Sequence, residues 1–342
     1  MDNYKIPTIT VLMPVYNCAL YINEAMDSIL SQTFDDFEFL IIDDASTDDT
    51  VSIIKSYNDP RIQLVEKPVN TGYTNSLNYG LSIANGKYIA RMDGDDISLP
   101  ERFQRQYDFM EANPDVVVCG VNFSIIGTQE IVVLPQENET IKLQLLIGNC
   151  LAHPSVLMRK QGLEALSVAY NVAKEPAEDY DLWVRILGVG KLHNLQEILL
   201  KYRVHPTQVS QKRNKQQKQS VTETRVGIFK YLNCAFDDEE RLILKNAIQN
   251  KDLDYHQLKS FFILKEKMIL ANANNFFESN GFQDYLLALY RKSFKKYFLE
   301  REKYFPLIFF QYWKIKWGSR FNLSTVDEIK LLAKSIIYFG RK

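Results

Sequence analysis

The segment FEFLIIDDASTDDT, Phe37 to Thr50, decides the fold. Its first half, Phe37 to Ile42, is an almost unbroken apolar run, the pattern of a strand buried on both faces. Two carboxylates, Asp43 and Asp44, stop the run. Ser46-Thr-Asp-Asp then offers side chains able to cap a helix reaching to about Tyr57. The same succession of strand, polar turn and helix recurs on both sides. Ile9 to Val15 is a short, β-branched-rich run that Pro14 and Asn17 close, and Leu20 to Leu30 then sets Ile22, Ala25, Met26, Ile29 and Leu30 at helical spacing. Downstream, Ile62 to Val65 reads as a strand, Tyr73 to Ala84 as a helix and Tyr88 to Met92 as a strand. This alternation predicts βαβ units, hence an α/β fold with a Rossmann-like, mostly parallel sheet flanked by helices.

Right-handed crossovers collect the strand C-termini on one edge, where open α/β sheets bind ligands. Onto that edge fall Tyr16-Asn17, Asp43-Asp44, Asn70-Thr-Gly72 and Asp93-Gly-Asp95-Asp96. A single acidic turn is ordinary, but four polar loops on one edge predict a site. Asp93 and Asp95, separated by a glycine that lets the backbone bend, suit a hard divalent cation with oxygen ligands.

A helix is expected from Glu101 to about Asn113, opened by Pro100, and a strand from Val116 to Phe123. From 124 to 205 short elements surround His153-Pro-Ser, Glu178-Asp179-Tyr-Asp181-Leu-Trp and Tyr202-Arg-Val-His205. The polar stretch Gln208 to Gln219 reads as an exposed helix or hinge, and helical periods dominate beyond it. Two regions are expected: 1–210, binding a ligand, and 211–342, helical.

The composition narrows the function. Among 342 residues, 41 basic side chains face 42 acidic ones, which removes the positive field that nucleic-acid binders carry. The four cysteines form no CxxC pair and read as small buried hydrophobes in a reducing compartment. The amino terminus lacks the basic and apolar regions of a secretory signal, and no apolar run approaches the ~20 residues of a membrane helix. A cytoplasmic protein is expected, attached at most to the cytoplasmic membrane face.

VLMPVYN (Val11 to Asn17), SILSQTFDDFEFLIIDDASTDDT (Ser28 to Thr50) and NTGYTNSLNYGLSIANGKYIARMDGDD (Asn70 to Asp96) together resemble the nucleotide-binding half of family 2 glycosyltransferases, which have the glycosyltransferase A fold. The resemblance runs from about Thr8 to Gln106 and resumes at HPSV (from His153), EDYDLW (from Glu178) and YRVHPTQVS (from Tyr202). It implies a nucleotide-sugar donor, most often a UDP-sugar, with Mn²⁺ or Mg²⁺, and a glycan or lipid-linked acceptor of bacterial surface polysaccharide.

The resemblance also implies roles. Pro14 and Tyr16 would pack on the base beside Asn17, and Asp44 would accept a hydrogen bond from it, with Asp43 ordering the loop. Asn70, Gly72 and Asn78 would lie near the ribose and sugar. Asp93 would meet the ribose or sugar and, with Asp95 and His205, the metal. Arg91 would contact phosphate or a neighbouring carboxylate, and His153 the acceptor or diphosphate. Asp179 would be the general base of an inverting transfer, with Glu178 as its orienting neighbour. A helix start favours an ionised carboxylate there. One departure stands out: Asn171 to Ala177 lacks the glycine that relatives commonly carry before the acidic pair, and Pro176 stiffens it further.

Two other classes compete. A nucleotidyltransferase or sugar-nucleotide pyrophosphorylase would need a glycine-rich, basic loop after the first strand, and VLMPVYNCALY has neither. A catalytically silent nucleotide-binding module would have no use for intact DxD, ED and YRxH segments. Phe261 to Lys342 is dense in aromatic and basic residues, read either as a packed helical appendage or as a surface resting on anionic lipid. Donor sugar, acceptor, linkage and oligomeric state stay open at this level.

Overall fold

Strand β1 (Ile9–Val15) and strand β2 (Phe37–Asp43) are buried along their whole length and pair in parallel, Ile9 opposite Phe37 and Val15 opposite Asp43. In the computed structural model, which describes residues 6–205, 214–301, 303–319 and 322–337, β3 (Ile62–Glu66) flanks β2 and β4 (Tyr88–Arg91) flanks β1, both parallel. The crossovers run through α1 (Ile22–Leu30), α2 (Thr50–Lys55) and α3 (Tyr73–Ile83). Each expected element from Ile9 to Met92 is present, with ends moved by one or two residues. α3 lies close on the sheet at Gly80, where a Cβ would fall 2.2 Å from Leu12 Cδ1 and 3.3 Å from Ile42 Cγ1. Glycine there sets how deeply the helix seats.

Beyond α4 (Arg102–Ala112) the sheet becomes mixed. Its order is β3-β2-β1-β4-β8-β6-β9-β5, with β7 (Ile131–Val132) paired to β6 (Val116–Ile125). β8 (Leu157–Arg159) runs antiparallel between β4 and β6, Ala90 facing Leu157. Running backwards, β8 begins beside the end of β4, so the preceding turn His153–Ser155 joins the edge where β1 to β4 finish. β9 (Lys191–Tyr202) runs parallel to β6 and pairs antiparallel with β5 (Ile97–Ser98), Lys201 facing Ile97. That ladder draws residues 203–205 back over the acidic loop after β4. Between them lie α5 (Asn138–Leu145), α6 (Lys160–Glu164) and α7 (Glu178–Ile186).

The chain divides into two units, Met1–Val221 and Thr222–Lys342, with α8 (Asn214–Gly227) crossing the division. The second unit is helical: α9 (Asp238–Ile248), α10 (Tyr255–Ala271), α11 (Ser279–Leu299), α12 (Pro306–Ser319) and α13 (Thr325–Ile336). Capping boxes at Asp237 and Asp254 start α9 and α10. Its core is aromatic, with Phe261 edge-on to Tyr290 at 5.6 Å and Phe298 edge-on to Tyr312 at 5.6 Å. Among the described residues no helix is long and apolar enough to cross a membrane. Cys119 and Cys150 are buried, whereas Cys18 and Cys234 are half-buried; all four are free thiols. Positions 206–210 of the YRVHPTQVS segment, and 208–213 of the polar stretch after it, lie outside the described residues.

Candidate active site

The loop leaving β4 carries Asp93, Asp95 and Asp96, and one carboxylate oxygen from each lies within 4.8 Å of the others. Asp96 is buried. One of its oxygens accepts the Arg203 N–H at 2.8 Å; the other is buried without a hydrogen-bond partner. The sequence reading leaves Asp96 out of the metal set because it lies outside the DxD spacing, yet the turn folds all three acids together. His205 Nε2 sits 2.7 Å from Asp95 Oδ2. Arg203 fixes that approach: its Nε donates to the Asp95 carbonyl at 2.8 Å, and its far nitrogen reaches Glu24 at 2.7 Å across the Tyr21 ring. Burial, then the charge of Asp93, raises the Asp95 carboxyl, against the pull of His205. The Asp96 carboxyl is raised further, by burial and both neighbouring acids. Three crowded oxygen donors and an unpartnered buried oxygen fit a hard divalent cation.

Arg91 ends β4 as a buried guanidinium paired with Asp93. Burial alone would lower its pKa; the charge and hydrogen bond of Asp93, with Tyr170 and Asp96, together raise it. Its positive charge helps to hold the Asp179 carboxyl down and adds to the burial that keeps His153 neutral. Arg91 therefore links the acidic loop electrostatically to α7. A neighbouring carboxylate, one of the two partners expected for it, is present in Asp93.

α7 opens on Glu178 and Asp179, while Leu182, Trp183 and Ile186 bury its apolar face. Glu178 is buried, its Oε2 accepting the Tyr73 hydroxyl at 2.7 Å. Burial first, then the Asp179 charge, pushes its carboxyl up to about 8, with the Tyr73 bond opposing. Asp179 is raised to about 6 by burial, but the Tyr180 N–H at 2.6 Å, the Asn149 side-chain N–H at 2.7 Å and Arg91 all oppose the rise. Two adjacent acids are thereby separated in role near neutrality, Glu178 protonated and Asp179 ionised.

Asn149 and Tyr73 were not foreseen: a single amide or phenol in a loop or at a helix start carries no periodic signal. Asn149→Ala removes a bond that favours the ionised Asp179, so the acid limb of turnover is expected to move to higher pH, measured as log kcat against pH. A limb unchanged from the parent would mean that Asn149 does not tune Asp179.

The remaining residues sort into loop anchors and free groups. Asp44 takes Lys67 Nζ at 2.6 Å and the N–H groups of Thr71 and Gly72 at 3.0 and 2.8 Å. Burial works against its charge, yet these donors hold the carboxyl below its usual range. Asp43 accepts the Ser46 N–H, as its loop-ordering role requires. Asn17 is occupied: its side-chain oxygen accepts the Thr47 N–H at 2.8 Å and its backbone N–H donates to the Ser46 hydroxyl, tying the loops after β1 and β2 together. The Asp49 start of α2 likewise has no side-chain cap; Asp48 instead takes the N–H groups of Thr50 and Ala19.

Both ends of the Asn78 amide are engaged by the Tyr170 backbone, at 2.8 and 3.0 Å, so it positions the 170s loop. Asn70 binds its own loop through the Gly72 N–H at 3.2 Å, and Gly72 holds φ +90° with Glu175 in front of it. Pro14 is buried in β1, while the Tyr16 ring is exposed beyond the strand end. His153 hydrogen-bonds the Tyr170 hydroxyl at 2.8 Å, with Trp183 edge-on at 6.0 Å. The glycine-free segment before α7 forms a short turn, Val172–Lys174, capped by Asn171, and Gln216 reaches the Glu175 carbonyl at 3.0 Å.

Residues 10–162 match the Glycosyl transferase family 2 profile. The chain is 34% identical over 209 residues to the O-antigen biosynthesis glycosyltransferase WbnJ of Escherichia coli, covering 58% of this chain and 80% of that one. Its fold is similar to S. aureus TarS 1-349 in complex with UDP-GlcNAc, with a TM-score of 0.57 and 16% identity over 84% of this chain and 89% of that one. It is also similar to the mannosyltransferase PcManGT of Pyrobaculum calidifontis in complex with GDP-Man and Mn2+, with a TM-score of 0.53 and 17% identity over 86% and 88% of the two chains. A mixed α/β sheet with its acidic loops on one edge, a helical C-terminal region and close kinship to named transferases agree: the chain belongs to glycosyltransferase family 2.

Proposed function

We propose that this enzyme is an inverting, metal-dependent glycosyltransferase that moves a sugar from a nucleotide-sugar, a UDP-sugar, to a hydroxyl of a glycan or lipid-linked acceptor in surface-polysaccharide synthesis. The observation that carries the proposal is the acid pair at the start of α7, with Asp179 ionised near neutrality and tied through Arg91 to the Asp93 loop. The O-antigen role in the name of WbnJ supports the acceptor class, and the nucleotide-sugars held by TarS and PcManGT support the donor class.

Asp179 takes the acceptor hydroxyl proton as that oxygen forms its bond to the anomeric carbon. The bond from that carbon to the donor diphosphate breaks on the opposite face, and its electron pair leaves with the nucleotide. Configuration inverts in one displacement, without a covalent enzyme intermediate. Glu178, protonated and held by Tyr73, adds no second charge beside the base and can donate to the acceptor. Asp93, Asp95 and Asp96 with His205 would hold a Mn²⁺ or Mg²⁺ ion, whose chemistry is to neutralise charge developing on the diphosphate. The exposed Tyr16 ring and the Asp44 loop would flank the base, and Asn70 with Gly72 the ribose. His153, kept neutral, would line the acceptor or diphosphate side. On this proposal the enzyme works in the cytoplasm or on its membrane face, and residues 1–210 carry the chemistry.

A donor panel tests the proposal. UDP-, GDP- and dTDP-sugars are incubated with and without Mn²⁺, nucleotide release is followed, and the product anomer is read by NMR. Metal-dependent release of UDP with an inverted product is expected. Release of pyrophosphate, or a product of retained configuration, would overturn it.

A further inference from the structure

Most of the C-terminal unit turns polar residues outward. On α11 the exposed positions include Gln283, Asp284, Arg291, Lys292 and Lys295. The last two helices, which pack on each other, do the opposite. Among the described side chains, those exposed along α12 are Pro306, Leu307, Phe310, Trp313, Lys314 and Trp317, with Trp317 78% exposed, while Ile308, Tyr312 and Ile315 fill its inward side. On α13 the exposed positions are Val326, Ile329, Lys330, Leu332, Ala333 and Ile336, after Thr325 at its start; Ile329 is 64% exposed and Leu331 is buried. At 3.6 residues per turn each set covers one continuous outward face. Isolated exposed apolar residues are ordinary, but two faces of this kind on neighbouring helices mark an interaction surface.

The charges on these faces select the partner. Both carboxylates of α13 sit off the outward face: Glu328 is bound to Lys316 at 2.6 Å, and half-buried Asp327 lies 3.9 Å from Lys330. Among the described side chains, the exposed faces therefore carry Lys314 and Lys330 as their only charges. A second copy docking face to face would set lysine against lysine without an acid between them. A sheet of phosphate headgroups over acyl chains complements the same pattern. Indoles belong at that boundary, aliphatic tips reach below it, and lysine stems extend back to the phosphates. Neither helix is long and apolar enough to span the membrane.

We infer that α12 and α13 form a monotopic docking face for an anionic lipid bilayer. The inference stands on these helices alone and does not rest on the catalytic proposal. If that proposal holds, the face would bring the enzyme to the membrane where a lipid-linked acceptor resides.

Flotation of the full chain with vesicles tests it. With phosphatidylcholine–phosphatidylglycerol vesicles the parent is expected to float and its Trp313 and Trp317 emission to shift to the blue, and with phosphatidylcholine alone binding should fall at least tenfold. Phe310→Glu with Trp317→Glu, both at exposed positions, should abolish flotation. Lys314→Glu with Lys330→Glu, which leaves the apolar residues in place, should remove the preference for the anionic lipid. Donor hydrolysis should match the parent in both double variants, which also shows that they are folded. A parent that stays unbound with anionic vesicles would overturn the inference. So would aromatic variants that float like the parent, or a parent dimer that these variants dissolve.

Discussion

Asp179→Asn is expected to lower sugar transfer by about 10²–10⁴-fold, the range for losing a positioned general base. The substitution is nearly isosteric. Its side-chain oxygen can still accept the Tyr180 N–H, and a neutral amide at this half-buried position leaves no charge to desolvate beside protonated Glu178. The helix start should therefore survive, and nucleotide affinity, set by the loops after β1 to β4, should be unchanged. Initial rates with donor and acceptor give the first quantity; calorimetric titration with the nucleotide gives the second. Glu178→Gln is the control, because a neutral amide imitates the protonated acid that burial enforces, and it should cost much less. A fully active Asp179→Asn enzyme would remove Asp179 from its role.

Asp95→Ala should be nearly as damaging, by another route. It opens the oxygen cluster shared with Asp93 and Asp96 and takes away the partner of His205. Stabilisation of the leaving diphosphate is worth several kcal/mol, so turnover should fall on the order of 10²–10³-fold. EDTA should silence the parent and added Mn²⁺ restore it, whereas Asp95→Ala should need far more Mn²⁺ for half-maximal activity, read from a metal titration of the rate. An unaltered titration would show that the cation is held elsewhere. Asp96→Asn should act differently: the carboxylate that receives the Arg203 N–H also keeps residues 203–205 in place.

The parallel half of the fold was legible because its signals are periodic. Apolar runs such as Phe37 to Ile42 can only be buried on both faces, and polar turns at fixed intervals between helical patterns leave little choice of topology. β8 was harder. Three residues carry no period, and its reversed direction follows from where the chain re-enters the sheet at His153. Within the candidate site, residues in compact motifs were visible: Asp93 and Asp95, Glu178 and Asp179, and His205. Asp96 escaped because spacing along the chain does not reveal how a turn folds three acids onto one point. Asn149, Tyr170 and the bonds made by Asn78 escaped for a related reason. Their partners lie in distant segments, and an amide facing solvent has the same sequence signature as one clamped to a backbone 92 residues away. At Asn78 the motif resemblance marks a neighbourhood and not the bonds made there.

The protonation of the acid pair has a further consequence. In the folded chain Glu178 and Asp179 hold protons up to about 8 and about 6, against ordinary values of about 4.5 and 3.8. Their folded-state pKa values are raised, so their contribution to stability is complete below the unfolded values and is lost as pH climbs through about 6 and then about 8. Over that same interval the base gains the charge it works with. Thermal tolerance and catalytic rate thus respond to alkalinity in opposite senses. Selecting for heat resistance at this helix start would favour neutral replacements that disarm the enzyme, so hardier forms are better sought at the far rim of the sheet.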